Sequence, residues 1–260
     1  MARVAVLWLG VGLLFLAAAL YYRVRLWPAL LLSGRRPGRS QVRRWNALIR
    51  FWGSSLAWLL RVVGGLRCSV EGSVPPGRHL VVANHQSTVD IVLLFHVLRP
   101  LNLKFVAKKS LARFVPNVSI ALRTAGFGIV DPDRPATNVR NLLRFARSLE
   151  VWEGSPLLYP EGIRTFDGSL SRFQSAGLRL LARETGLPIL PVVVDGLWHI
   201  RSIGRFFRGL PGTHARIRIL PPIPNEEATA DPDGFVERLE KRMAEELGRM
   251  RREGTLGVTP

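Results

Sequence analysis

From Cys68 onward, short apolar runs rich in β-branched residues alternate with longer stretches of helical periodicity. That alternation restricts the chain to a sheet covered by helices. The runs are CSVEG, HLVVAN, LKFVA, FGIVD, PLLY, ILPVVV and ARIRIL, and the helical stretches fall at 87–99, 111–125, 137–152, 170–185 and 232–252. In 137–152, for example, Val139, Leu142, Leu143, Ala146 and Leu149 keep helical spacing. The expected fold class is therefore α/β, a mixed β-sheet covered by helices, over residues 67–225. A chain of 260 residues has room for one such domain plus appendages. The last appendage is 226–260, where ERLEKRMAEELGRMRRE predicts a charged, solvated outer helix.

The first 66 residues are of another kind. Val4 to Leu20 carries no charge and no proline, and its 17 residues meet the lower bound for a spanning helix. Residues 1–25 are expected to form a transmembrane anchor. A cleavable signal peptide is the alternative, because Arg3 precedes the run and small residues close it. Residues 26–66 read as a basic loop followed by a helix. Arg23, Arg25, Arg35, Arg36, Arg39, Arg43 and Arg44 follow the apolar run. By the positive-inside tendency they place the remaining mass on the cytoplasmic side, at the inner membrane if the source is bacterial. Over 41–65, Trp45, Leu48, Ile49, Trp52, Leu56, Leu59, Leu60 and Val63 recur at helical spacing beside a strip of Arg43, Arg50, Ser54 and Arg61. This predicts an amphipathic helix lying in the headgroup plane, or else one packed on the domain's own core.

Charge narrows the partner. There are 37 Lys and Arg against 19 Asp and Glu, a net charge of +18, which demands something anionic. The arginines cluster beside apolar runs, and neither a zinc-finger spacing nor an RNA-binding aromatic motif occurs. An anionic membrane surface is expected and nucleic acid is not. Cys68 is the sole cysteine, which excludes an intrachain disulfide.

One stretch, VVANHQSTVD at 81–90, ends a buried-looking strand on Asn84, His85 and Asp90. Polar groups there must be hydrogen-bonded or do chemistry. If 85–90 were all helical, His85 and Asp90 would lie about 140° apart around the axis and miss each other. They meet only if His85 sits on the strand-to-helix turn and Asp90 in the first helical turn, with Ser87 as the cap. Ser87-x-x-Asp90 also has the spacing of a capping box, so Asp90 has two readings, helix closure and catalysis. A histidine backed by a carboxylate makes a general base. Ser87 raises the possibility of a serine hydrolase, but no G-x-S-x-G elbow occurs.

These residues resemble the first motif of the glycerolipid acyltransferases, the family typified by 1-acyl-sn-glycerol-3-phosphate acyltransferase. That motif, N-H-x-x-x-x-D, is matched by Asn84, His85, Gln86, Ser87 and Asp90. The family's [FY]-P-E-G-T-R is matched by Tyr159, Pro160, Glu161, Gly162 and Arg164, with Ile163 where threonine is usual. LPILPV at 187–192 resembles its proline-containing strand, and KFVAKKSL places Lys108 at a commonly basic position. The resemblance covers about residues 45–225. Two departures stand out. Pro132 occupies the position of the second motif's phosphate-holding arginine, with Arg134 two residues on, and RFQSAG at 172–177 lacks a lysine common in relatives.

The resemblance implies acyl transfer from a thioester, acyl-CoA or acyl carrier protein, to the hydroxyl of a lysolipid such as lysophosphatidic acid in phospholipid biosynthesis. His85 is then the base and Asp90 its orienting partner. Asn84, Ser87, Lys108, Arg134, Glu161, Gly162 and Arg164 are the candidate substrate-binding residues, the backbone around Glu161-Gly162 steadying an oxyanion and the cations holding a phosphate. The thioester carries its own activation, so no cofactor and no metal is expected. The altered second motif leaves open another acceptor, a lysophospholipid or an ornithine-type lysolipid, and a non-catalytic lipid-binding protein is the alternative of a different class. His79, His96, His199 and His214 lack a partner at useful spacing and are expected to be structural.

Overall fold

In a computed structural model the chain is described over residues 2–21, 24, 37–114, 118–200 and 209–256. Among these residues all seven expected runs form strands: β1 (Arg67–Glu71), β2 (Leu80–Ala83), β3 (Lys104–Lys108), β4 (Gly128–Val130), β5 (Pro156–Leu158), β6 (Ile189–Asp195) and β7 (His214–Ile219). The helices are α1 (Ala2–Tyr21), α2 (Arg39–Val62), α3 (Thr88–Val97), α4 (Leu111–Phe114), α5 (Val118–Thr124), α6 (Pro135–Val151), α7 (Ser175–Thr185), α8 (Asn225–Ala230) and α9 (Pro232–Leu256). They belong to two compact units, each built from two stretches: residues 1–64 with 92–155, and 65–91 with 156–260.

The second unit holds five strands in the order β1-β7-β6-β2-β5. β2 runs parallel to both β5 and β6, β1 is parallel to β7, and β6 is antiparallel to β7, so the expectation of a mixed sheet holds. Every residue of β2 and β6 is buried, which is why both read as unbroken apolar runs. β7 instead buries Ala215, Ile217 and Ile219 and turns Arg216 and Arg218 to the other face. α9 packs on β6 and α7. It differs from the solvated outer helix expected: Phe235, Val236, Leu239, Met243, Leu247 and Met250 form a buried stripe beneath its charged face. The helix expected over 170–185 begins only at Ser175, because Glu161, Glu240 and Pro160 accept hydrogen bonds from the backbone of Ser171, Phe173 and Gln174.

The first unit pairs β3 with β4 in parallel. The helix expected over 111–125 is present as α4 and α5, with residues 115–117 outside the described residues. α2 buries one part of its apolar face and exposes another. Val42 and Trp45 are buried in a cluster with Ala125 and Trp152, and Leu59 contacts α1 at Gly10, while Phe51, Trp58 and Val62 stay exposed. α1 itself packs on α2 through this Gly10–Leu59 contact and an edge-on contact of Phe15 with Trp52 at 5.2 Å. Among the described residues no helix is long and apolar enough to cross a membrane. The expected spanning anchor is thus not carried by the structure, where the apolar N-terminal stretch is one half of a helical pair. Of the arginines expected after the apolar run, Arg23, Arg25, Arg35 and Arg36 lie outside the described residues.

Lys104 is the unit's costliest burial. It is 1% exposed; its Nζ donates to Asn46 Oδ1 at 2.9 Å and lies 5.0 and 5.1 Å from the ring centres of Phe127 and Trp152. Desolvation, helped by the charge of Arg50, lowers its pKa to about 7. Unfolded, the lysine keeps its proton to about pH 10.4. Between those values the unfolded chain binds more protons than the native one, so this group makes stability rise with pH across the window. Below pH 7 the penalty is complete. Lys104→Met is therefore expected to stabilise the protein by about 1–4 kcal/mol at pH 6–7, with the advantage shrinking as pH rises. Denaturant titrations of both proteins from pH 6 to 10 check this; a pH-independent difference would contradict it.

Candidate active site

The carboxyl end of buried β2 delivers the first motif, on the side where α/β sheets usually hold ligands. Asn84 is buried and extends the sheet with its side chain. Its Nδ2 donates to Val194 O at 2.8 Å and its Oδ1 accepts from Val194 N at 2.7 Å. The next residues form the turn. Ser87 caps α3, its Oγ accepting from Val89 N at 3.3 Å and donating to Ile200 O at 3.2 Å. Asp90 returns the cap, accepting from Ser87 N at 2.9 Å.

The same carboxylate meets the imidazole. His85 Nδ1 lies 3.0 Å from Asp90 Oδ2 and 3.1 Å from Oδ1. Asp90 is fully buried, and it also accepts from Gln86 N at 2.8 Å and from the Tyr159 hydroxyl at 3.3 Å. Both readings of Asp90 are realised in one group: it closes the helix and it touches the histidine. The His85 ring stacks on Tyr159 with centroids 4.2 Å apart and keeps 16% of its side chain exposed. Burial, then the charge and hydrogen bond of Asp90, push the Tyr159 hydroxyl well above its ordinary pKa, so it serves as a neutral donor.

The third motif braces the first from outside. Glu161 is buried, and its two oxygens accept from His85 N and Ser171 N, each at 2.7 Å. Burial pushes its carboxyl above the usual range despite these bonds. Thr165 N donates to His85 O at 2.9 Å, so the His85 backbone is gripped on both sides. Gly162 turns with φ +69°, and a side chain there would meet Gln174 at 2.7 Å. Its amide donates to Tyr159 O at 3.1 Å. Arg164 is exposed and donates to Thr88 Oγ1, at the start of α3, at 3.2 Å.

Asn84, His85, Ser87, Asp90, Glu161, Gly162 and Arg164 thus lie in one unit, while Lys108 and Arg134 belong to the other. Lys108 is exposed at the end of β3, and Arg134 is exposed as the cap of α6, its amide bonded to Asp131 O. Lys109, next to Lys108, pairs with Asp131 at 2.8 Å and holds that carboxyl below its usual range. Three of the other histidines bond hydroxyls, His96 to Ser54, His199 to Thr213 and His214 to Ser69. Among the described residues no three His, Cys, Asp or Glu side chains group as a metal site.

The family model for Acyltransferase matches residues 66–195, half of the chain and all of this geometry up to Asp195. The chain belongs to the acyltransferase family. It is 28% identical over 177 residues to human 1-acyl-sn-glycerol-3-phosphate acyltransferase alpha, covering 66% of this chain and 60% of that protein. It is 29% identical over 195 residues to the 1-acyl-sn-glycerol-3-phosphate acyltransferase of Saccharomyces cerevisiae, covering 73% and 62%. The chain therefore spans about 60% of the length of these curated relatives. The crystal structure of the 1-acyl-sn-glycerophosphate (LPA) acyltransferase PlsC from Thermotoga maritima superposes with a TM-score of 0.63 at 26% identity, covering 92% of this chain and 95% of that one.

The structure also brings to the two motifs side chains that the sequence did not single out. Tyr159 and Gln86 were visible only as motif letters. Asp195 carried the same signal as Asn84, a polar residue ending a buried apolar run, and was overlooked. Arg251, on the last helix, carried none.

Glu161 offers a direct test of the brace. In Glu161→Gln one of the two backbone amides faces an NH₂ group in place of an oxygen. Leaving such a buried donor unsatisfied costs about 1–3 kcal/mol. A urea-melt midpoint lowered accordingly is the expected result, and an unchanged midpoint would rule the brace out.

Proposed function

We propose that this chain transfers a fatty acyl group from a thioester, acyl-CoA or acyl carrier protein, to the hydroxyl of lysophosphatidic acid. The observation that carries the reading is the pairing of a partly exposed imidazole with a buried carboxylate at 3.0 Å. Asp90 accepts from donors on both oxygens, so the His85 proton sits on Nδ1 and the lone pair on Nε2. Among the described residues none hydrogen-bonds Nε2. His85 then takes the acceptor's proton as its oxygen attacks the thioester carbonyl, Asp90 steadies the imidazolium, and the proton passes to the departing thiolate. Arg164, exposed beside the start of α3, suits the acceptor's phosphate. Lys108 and Arg134 are phosphate candidates on motif position alone.

Ser87 is engaged by the cap and by Ile200, which argues against a serine hydrolase. Pro132 at the second-motif arginine favours a second reading, transfer to a lysolipid with another headgroup. Acyl transfer to a panel of lysolipids, with acyl-CoA and acyl carrier protein as donors, separates the two. Lysophosphatidic acid is expected to be preferred, and His85→Ala to lower the rate by about 10²–10⁴. Indifference to the phosphate would move the assignment to the second reading, and full activity of His85→Ala would remove both.

We further infer that the protein works at a membrane surface. Leu9, Leu13, Leu16 and Leu20 of α1 and Phe51, Trp58 and Val62 of α2 expose apolar surface in one unit. The same unit holds 20 of the 37 Lys and Arg but only four of the 19 Asp and Glu. Apolar insertion with basic flanks suits an anionic, cytoplasm-facing leaflet. Flotation with vesicles should show stronger binding when they contain anionic lipid, weakening as salt is raised; equal binding to zwitterionic vesicles would count against it.

A further inference from the structure

Asp195 ends the buried run of β6 and is itself 3% exposed. A carboxylate in that position is tolerated only with strong partners. Arg216 Nη2, from β7, donates to its Oδ2 at 2.7 Å, and Arg251 of α9 donates to Oδ1 from Nη2 at 3.1 Å and from Nε at 3.3 Å. The fourth bond to Asp195 is from the first motif: Gln86 Nε2 lies 3.3 Å from Oδ1. Burial pushes the Asp195 carboxyl upward, but the hydrogen bond and charge of Arg251, with Gln86 and Arg216, hold it below its ordinary range.

These bonds converge on the two loops that carry the site. Gln86 is the residue after His85, and its own amide donates to Asp90 Oδ2 at 2.8 Å. Its side chain is fixed at three points: Oε1 accepts from Leu197 N at 2.9 Å, and Nε2 reaches Asp195 and, at 3.4 Å, Gly168 O. Arg251 Nη2 donates to the same Gly168 oxygen at 2.5 Å. Gly168 closes the loop that begins with Tyr159 and includes Glu161 and Arg164; its φ is +87°, and a side chain there would strike Trp198 and Arg251. Arg251 therefore bonds the anchor of one loop and the backbone of the other with a single guanidinium, while Arg216 ties the neighbouring turn of α9 by donating to Met250 O.

We propose that Asp195 and Arg251 are positioning residues for the His85–Asp90 pair, so that the seating of the C-terminal helix sets where the imidazole points. The inference rests on the acyl-transfer reading only for its kinetic readout. A buried ion pair that merely stabilised the fold would alter the melting temperature and leave the site alone. A positioning pair acts on turnover, since a displacement of about 1 Å at a reacting group can cost about a hundredfold.

The test uses the full chain with Arg251→Met and Arg251→Lys. Asp195 keeps Arg216 as a partner in both. The measurements are kcat, KM for donor and acceptor, melting temperature, and the NMR titration of the His85 ring in histidine-labelled protein, assigned with His85→Ala. Arg251→Met is expected to lower kcat about ten- to a hundredfold with KM within about twofold of wild type. The His85 titration should move with it, and Arg251→Lys, whose ammonium still reaches Asp195, should recover much of the loss. A wild-type kcat and an unmoved His85 titration in Arg251→Met overturn the inference, as does a kcat loss that follows the melting temperature in both variants. If the wild-type protein transfers no acyl group to any acceptor, the functional reading falls. The ring titration alone then decides: moved, it supports the positioning role, and unmoved, it ends it.

Discussion

The Asp90 carboxylate, wholly out of water, is the group around which the site is arranged. An uncompensated charge there costs several kcal/mol, so its oxygens must collect donors. They collect two backbone amides, a tyrosine hydroxyl and the imidazole. Aiming the amides of Gln86 and Ser87 inward curls the chain around the carboxylate, and that curl brings His85 back over a residue five positions later. A continuous helix from His85 onward would separate them. The strand must therefore stop at Ala83 and the helix must not start before Thr88, which is where the two elements end and begin.

Two further buried carboxylates hold this curl, and they differ in an instructive way. Glu161 is met at both oxygens by backbone amides, and its carboxyl is pushed above its usual range. Asp195 is met by two guanidinium groups, and its carboxyl is held below that range. Amide dipoles satisfy geometry without cancelling charge, whereas an arginine offsets desolvation with a full opposite charge. The Glu161 brace is thus specific in direction and local to the His85 backbone. The Asp195 clamp is strong enough to join elements far apart in sequence, β6, β7, the first-motif loop and the last helix.

Much of this was legible in the residues. The seven strands stood out because parallel, doubly covered strands are continuous apolar runs, and HLVVAN and ILPVVV are such runs. His85 and Asp90 stood out because polarity at the end of such a run needs a reason. What stayed hidden depended on tertiary geometry. Asn84 and Ser87 look like ligands in a motif, yet their polar atoms are used on Val194 and on the helix cap. The buried stripe of α9 was masked by a sequence in which charged residues outnumber apolar ones, and the late start of α7 is set by acceptors on Glu161 and Glu240 that no local pattern announces. Lys104 in KFVAKKSL looks like its solvated neighbours, and only the closure of Phe127 and Trp152 over it makes it different.

The charge of the chain is divided unequally between the two units. In the unit that holds His85, acids nearly match bases, and several are paired: Asp195 with Arg216 and Arg251, Arg218 with Glu71, Glu246 and Glu253. The other unit has too few acids to neutralise its own cations; even its buried lysine has an asparagine and two aromatic rings where a carboxylate would serve better. Folding alone cannot relieve that excess. Self-repulsion destabilises the isolated unit, and an anionic surface meeting its exposed apolar helices would remove the repulsion and cover the apolar area in the same event. The exposed apolar helices and the excess of basic residues thus fall in the same unit.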